Sequence, residues 1–313
     1  MLVSKPEFAD IFVVYDMYNL VGRVEHAPCG ILTNSQGYPT NALDIGLSKI
    51  KAMAEHADVK NKRVCLAFSA YENSGVRRAV YPKYKEGRIK NEPVSFDLTW
   101  WDGTYRTQAY DGVRDLMDLI QNIPSLTIGV PNCDGETDDA IATFCYAVAP
   151  KPVFVVTEDR DMWSLMSKRV RVFSKPDKEY GIPDLTAKFF ITEPRKLGLA
   201  KALFGDDSDK IDPIVARISK DQVAPKLESC RIAPGEKHFA PAFFREIEGL
   251  EGSSFKKLLA AREEVAYAER WIKLRRVELN YRHGTRNPSQ FQQILEFAEV
   301  KKKLPKFLEF ANA

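Results

Sequence analysis

Asp10-Ile11-Phe12-Val13-Val14-Tyr15-Asp16 is the stretch that decides the fold. Its five central residues are β-branched or aromatic, without alternation, and too few for a core helix. They read as a strand buried on both faces. The run stops at an acid, Asp16. Arg63 to Phe68 (RVCLAF) repeats the pattern and ends at Ser69, and Pro152 to Val156 (PVFVV) repeats it again before Thr157-Glu158-Asp159-Arg160-Asp161. Helix-period stretches, notably Asn41 to Ala57 and Glu136 to Ala149, lie between these runs. Strands alternating with helices predict an α/β fold with a parallel sheet and helices on both faces. In such sheets ligands bind outside the carboxyl ends of the strands.

Eight carboxylates fall at that edge in four clusters: Asp16; Glu136 with Asp138 and Asp139; Asp159 with Asp161; and Asp206 with Asp209. Each cluster alone has an ordinary explanation, since acids complement a helix's first turn and Asp is common in turns. Together at one sheet edge they would repel strongly unless a cation neutralised them. Oxygen ligands suit hard cations such as Mg²⁺ or Mn²⁺, whose remaining positions are filled by water and phosphate oxygens. The substrate implied is a phosphodiester.

The clusters and their order resemble the flap endonuclease and phage-type 5′-3′ exonuclease family, which includes the 5′-nuclease domain of bacterial DNA polymerase I. Tyr15-Asp16-Met17-Tyr18-Asn19-Leu20 is similar to the family's opening strand and first metal ligand. Arg77 with Tyr81-Pro82-Lys83-Tyr84-Lys85 and Arg88 resembles its basic arch. Glu136-Thr137-Asp138-Asp139, Thr157-Glu158-Asp159-Arg160-Asp161 and Gly205-Asp206-Asp207-Ser208-Asp209-Lys210-Ile211 resemble its later acidic motifs, so the likeness covers about residues 10 to 212. It implies a PIN-like 5′-nuclease domain over 1–204, with an arch at about 70–109, and a helical DNA-binding module over 205–313. It also implies two ions, one held by Asp16, Glu136 and Asp138, the other by Asp139, Asp159, Asp161, Asp206 and Asp209. Lys85, Arg88, Asp159 and Asp161 take the catalytic roles by the same resemblance, and Arg77, Tyr84, Lys85, Arg88, Lys210, Arg217 and Lys220 the DNA contacts. DNA with 5′ ends, flaps or nicks, or RNA paired to DNA, is the expected substrate, and a polymerase or single-strand-binding protein the expected partner.

Two positions depart from the pattern. Ser69 stands where active relatives carry a metal-binding Asp, with Glu72 the nearest carboxylate in sequence. After Ile211 the family's glycine-rich hairpin, which offers backbone amides to duplex phosphates, is replaced by Asp212-Pro213-Ile214-Val215-Ala216-Arg217-Ile218.

The charge balance fits a nucleic-acid partner. The chain has 313 residues with 46 Lys and Arg against 43 Asp and Glu. With the eight clustered carboxylates set aside, 46 cations face 35 anions, an excess of 11. Phosphate contacts from Lys and Arg dominate DNA affinity. One basic concentration runs from Arg77 to Lys90 near Trp100, Trp101 and Tyr105, which suits single-strand stacking or a hairpin packed by its own aromatics. Ser253 to Arg282 reads as one long basic amphipathic helix, and 288 to 311 as one or two more. The five cysteines form no Cys-x-x-Cys pair and suggest a reducing cytoplasm, the host's if the chain is phage-encoded. No membrane span or signal peptide is expected. A PIN-type ribonuclease, or a structure-specific DNA-binding protein with attenuated catalysis, are the alternative readings.

Overall fold

The computed structural model describes residues 9–25, 32, 34–37, 40–69, 75–85, 116, 119–120, 122–123, 127–130, 135–284 and 287–299. Of the arch expected at about 70–109, only 75–85 are included. Arg88, Glu72, Trp100, Trp101 and Tyr105 lie outside the described residues.

The three apolar runs form strands in register. β1 (Ile11–Asp16) pairs in parallel with β2 (Val64–Ser69) on one side and with β4 (Val153–Val156) on the other. Strands β3 (Thr127–Gly129) and β5 (Val170–Lys175) extend the parallel sheet, and β6 (Lys178–Tyr180) and β7 (Arg282–His283) close its two edges antiparallel. The order is β6-β5-β4-β1-β2-β3-β7. Because successive strand side chains point to opposite faces, Ile11, Val13 and Tyr15 enter one core and Phe12 and Val14 the other.

Helices cover both faces, as the alternation predicts. On the Ile11 face lie α1 (Met17–Glu25), a π-helical turn (Ala42–Gly46) running into α2 (Leu47–Ala54), and a late helix, Pro288–Phe297. The short α3 (Gly75–Val80) carries the buried Arg77. On the Phe12 face pack α4 (Thr137–Ala147), α5 (Ile182–Phe189), α6 (Leu197–Phe204), α7 (Lys220–Ser229), α8 (Ala240–Ile247), α9 (Ser253–Ala260) and α10 (Arg262–Ile272). The late helix Pro288–Phe297 is α11. Among the described residues no helix is long and apolar enough to cross a membrane.

One expectation is corrected: the segment from Ser253 to Arg282 is not one helix. It breaks at Ala261 and ends at Ile272, because polar side chains of α4 capture the backbone that would continue it. Asp139 accepts from Arg275 N at 2.8 Å and Thr143 from Val277 N at 3.1 Å, which leads the chain extended into β7. Side chains from both sides of the expected 204/205 boundary pack together. Leu199 and Leu203 share one cluster with Val215, Val223 and Leu227, while β7 and α11 return to the sheet.

Candidate metal centre

β1 ends at Asp16 directly opposite Ser69. The Asp16 carboxylate accepts from Asn19 N and from the Thr157 hydroxyl, both at 3.0 Å, so it fastens β1 to the end of β4. Thr157 Oγ1 also accepts from Asp159 N at 3.0 Å, and Asp159 Oδ1 accepts from Asp161 N at 2.8 Å. These side chain to backbone bonds turn the chain into the 3₁₀ turn Arg160–Leu165 and aim both carboxylates back at the edge. The first turn of α4 delivers Glu136, Asp138 and Asp139 to the same place.

Asp206 and Asp209 come from a tight loop after α6. Asp206 and Ile211 exchange backbone bonds of 2.8 and 3.0 Å, and Ser208 donates to Asp206 Oδ1 from both its amide and its hydroxyl. The loop needs Gly205: its φ is +77°, and a Cβ there would come within 2.9 Å of Ile211 O.

Seven of the eight carboxylates sort into three environments, and Asp16 borders the first. Asp138, Asp159 and Asp161 each bring an oxygen within 4.8 Å of the others, a span that slight closure converts to the metal–oxygen length of about 2.1 Å typical of Mg²⁺. Among the described residues no Lys or Arg forms an ion pair with Asp138 or Asp159. Burial, then the charge of Asp159, pushes Asp138 well above the usual carboxylate range. Burial, then the neighbouring Asp161 and Asp209, raises Asp159 to about 6. Such a donor set fits a hard divalent cation. Asp138 and Asp159 line a cavity of about 250 Å³ together with Asp16, Tyr18, Lys85 and Glu136.

Asp161, Asp206 and Asp209 form a second group within the same 4.8 Å limit, but it surrounds the Lys201 ammonium. Lys201 Nζ contacts Asp161 Oδ1, lies 2.5 Å from Asp206 Oδ2 and 3.4 Å from Asp209 Oδ2. Burial alone would discharge this lysine, yet Asp161, Asp209 and Asp206 hold it firmly protonated.

Glu136 and Asp139 belong to neither group. Arg77 bonds Glu136 through Nη1 and clamps Asp139 with bonds of 3.0 and 2.7 Å. Glu136 Oε1 accepts from Lys85 at 2.7 Å and Oε2 from the Tyr84 hydroxyl at 3.0 Å. Burial opposes ionisation of Glu136, but Lys85 and Arg77 outweigh it and hold the group below its ordinary value.

The expected site residues fall into different settings. Arg77 and Tyr84, expected on the DNA surface, are 3 % and 2 % exposed and act as internal partners of site carboxylates. Asp139, expected as a metal ligand, accepts from Arg77 and from the amides of Glu136 and Arg275. Asp159 joins Asp138 rather than the second group's Asp206 and Asp209. Lys85 is buried against Glu136 at the cavity wall, whereas Lys210, Arg217 and Lys220 are exposed, as phosphate contacts require. Ser69 is fully buried and donates to Val130 O at 3.1 Å, so its hydroxyl is committed to backbone.

Two residues escaped the sequence reading. Lys201 carried a signal, as the lone charge within the apolar Leu197–Phe204 helix. Trp271 carried none. Its carbonyl accepts from Arg77 Nε at 3.2 Å, and its ring stacks on Tyr81 at 5.1 Å, which anchors α3 and the residues that follow it to α10.

A parallel sheet carrying a buried, cation-demanding carboxylate group at its carboxyl edge defines an α/β protein of the divalent-metal-binding class. The chain belongs to the family described as 5′-3′ exonuclease, N-terminal resolvase-like domain, whose model matches residues 11–190. It is 29 % identical over 202 residues to the thermostable DNA polymerase I of Thermus thermophilus, covering 64 % of this chain and 22 % of that protein. Against the Thermus aquaticus enzyme the figures are 27 % over 256 residues, 81 % and 27 %. The chain thus spans about a quarter of the length of these relatives. In fold it is similar to the D15 protein of phage T5 co-crystallised with metal ions, with a TM-score of 0.55 at 17 % identity, covering 96 % of this chain and 99 % of that one. Human GEN1 bound to Holliday junction DNA matches at 0.54 and 15 %, covering 96 % and 71 %.

Proposed function

We propose that this chain is a divalent-metal-dependent nuclease that hydrolyses phosphodiesters at 5′ ends, nicks or flaps of DNA. The observation that carries this reading is the Asp138, Asp159 and Asp161 group: three acids with oxygens within 4.8 Å of one another, of which Asp138 and Asp159 line the cavity and, among the described residues, form no ion pair with Lys or Arg. Family membership and the excess of basic residues outside the site point the same way. Mg²⁺ is the expected ion, with Mn²⁺ as a substitute. When bound, such an ion supplies water activation and charge stabilisation at the phosphate.

The side chains divide the remaining work. Asp138, Asp159 and Asp161 hold and orient the ion, and Thr157 orients Asp16 beside it. Lys85, fixed on Glu136 at the cavity wall, presents positive charge where a scissile phosphate would enter, the kind of preorganised electrostatics that stabilises developing charge. Arg77 and Tyr84 keep Glu136 in place for Lys85. Exposed Lys210, Arg217 and Lys220 take the phosphates of the adjoining duplex. A second ion, which the family resemblance calls for, would need Asp161, Asp206 and Asp209, and those three already neutralise Lys201. A polymerase or single-strand-binding protein in a replicating cytoplasm is the partner this activity would serve.

The test incubates purified protein with 5′-labelled flap, nicked, blunt and RNA–DNA hybrid duplexes in Mg²⁺, Mn²⁺ or EDTA. Cleavage near the 5′ end or branch that EDTA abolishes is expected. Flap binding without cleavage in either metal would replace this reading with that of a structure-specific DNA-binding protein, which the committed hydroxyl of Ser69 favours.

A further inference from the structure

The geometry points to Lys201 as the resident cation of the second carboxylate group, so that the DNA-free protein takes up one divalent ion with high affinity and not two. This inference rests on the reading of the sheet edge as a metal site and specifies how many ions that edge holds.

Lys201 lies inside an otherwise apolar helix, α6, and is 1 % exposed. A buried ammonium is costly unless it is paired and hydrogen-bonded, and here one oxygen from each of Asp161, Asp206 and Asp209 surrounds it. A divalent cation bound by the same three oxygens would need to sit about 2.1 Å from each. That point lies within the space Nζ fills, and the two charges repel at such short range. The ion and the ammonium exclude one another.

Lys201 has no easy retreat. The cleft of about 70 Å³ that its side chain borders is also lined by Arg195 and Lys273, two further cations. On the other side, Ala202 of the same helix packs with Tyr84, Ile211, Trp271 and Ile272. Moving the ammonium would bring it toward like charge or into apolar side chains. The contrast with the first group is one of charge. Arg77 and Lys85 offset Glu136 and Asp139, and Lys201 partly offsets Asp161, Asp206 and Asp209, whereas Asp138 and Asp159 are left with no described ion-pair partner.

The experiment counts Mn²⁺ bound to the full DNA-free chain, by electron paramagnetic resonance of the free ion and by calorimetry. It compares wild type with Lys201→Met, which keeps the stem and removes the charge, and with Lys201→Arg and Asp138→Asn. One tight Mn²⁺ is expected in wild type and in Lys201→Arg, and two in Lys201→Met, with the second site tightened at least about tenfold. Asp138→Asn should remove the wild-type ion. Two wild-type ions of comparable affinity would overturn the proposal, as would an unchanged second site in folded Lys201→Met. Retention of the tight ion in Asp138→Asn would overturn it too, by placing that ion in the second group. If Lys201→Met does not fold, the wild-type count and the Asp138→Asn result decide the question alone. A single tight ion in a protein that cuts no DNA would leave this inference standing and sink the proposed nuclease activity; no bound ion at all would sink both.

Discussion

Asp159 and Asp161 are two residues apart and bring oxygens within 4.8 Å of each other, yet they carry opposite energetic roles. Asp159 has no described cation bonded to it, whereas Asp161 holds Lys201. Replacing either with Asn should abolish cleavage while leaving DNA affinity, measured in Ca²⁺, unchanged or higher. Their stabilities in EDTA should diverge. Asp159→Asn removes a repelling charge and should melt at or above wild type, whereas Asp161→Asn should cost about 2 kcal/mol because it strips a buried ammonium of one partner. Equal melting temperatures for the two would refute the division into groups. Acidity gives an independent check. Asp159 is raised from 3.8 to about 6, so within that window the folded chain holds a proton that the unfolded chain has released. The contribution of Asp159 to stability therefore falls as pH rises through the window. The difference in melting temperature between wild type and Asp159→Asn in EDTA should shift against wild type from about pH 4.5 to about pH 7, and Mg²⁺ should reverse it at the higher pH. A constant difference would mean that Asp159 is not raised.

The loop between α6 and α7 carries two strained cations. Lys210 and Arg217 hold φ of 56° and 58°, a left-handed conformation that glycine adopts without strain. Both are exposed, so the strain holds two cations at the surface. Arg217→Gly should raise stability by about 1 kcal/mol, and it should lower the slope of log affinity for duplex DNA against log salt by roughly 0.9. A gain in stability with an unchanged slope would show that Arg217 touches no phosphate. α10 teaches a related lesson. Periodicity predicts that it continues to Arg282, but hydrogen bonds from Asp139 and Thr143 compete successfully for its next backbone amides. Propensity is worth a few tenths of a kcal/mol per residue, and two such bonds exceed it.

At the scale of the whole molecule, the chain from Arg282 to Ala298 returns to the sheet. β7 completes one sheet edge, and α11 buries Phe291, Ile294 and Leu295 against the core that holds Ile11, Val13 and Tyr15. Truncation after Asn280 should remove roughly 5 kcal/mol, a large share of a typical domain's stability. Circular dichroism should then show a chain that is unfolded or melts far lower; an unchanged melting temperature would make these residues dispensable. The parallel sheet and its acidic edge were legible in advance, because a strand buried on both faces must be a continuous apolar run and the acids that end such runs must gather at one edge. The resemblance of motifs from Asp16 to Asp209 named the family for the same reason, since those residues are fixed by local position along the chain. Which acid meets which cation was decided only by tertiary structure. Arg77 reaches Asp139 across 62 residues and Lys201 reaches Asp161 across 40; the apolar helix around Lys201 marks it for burial, but nothing in local spacing says which carboxylates it will meet. The low dielectric of the interior makes that choice, by leaving no buried charge stable without the partner that folding brings to it.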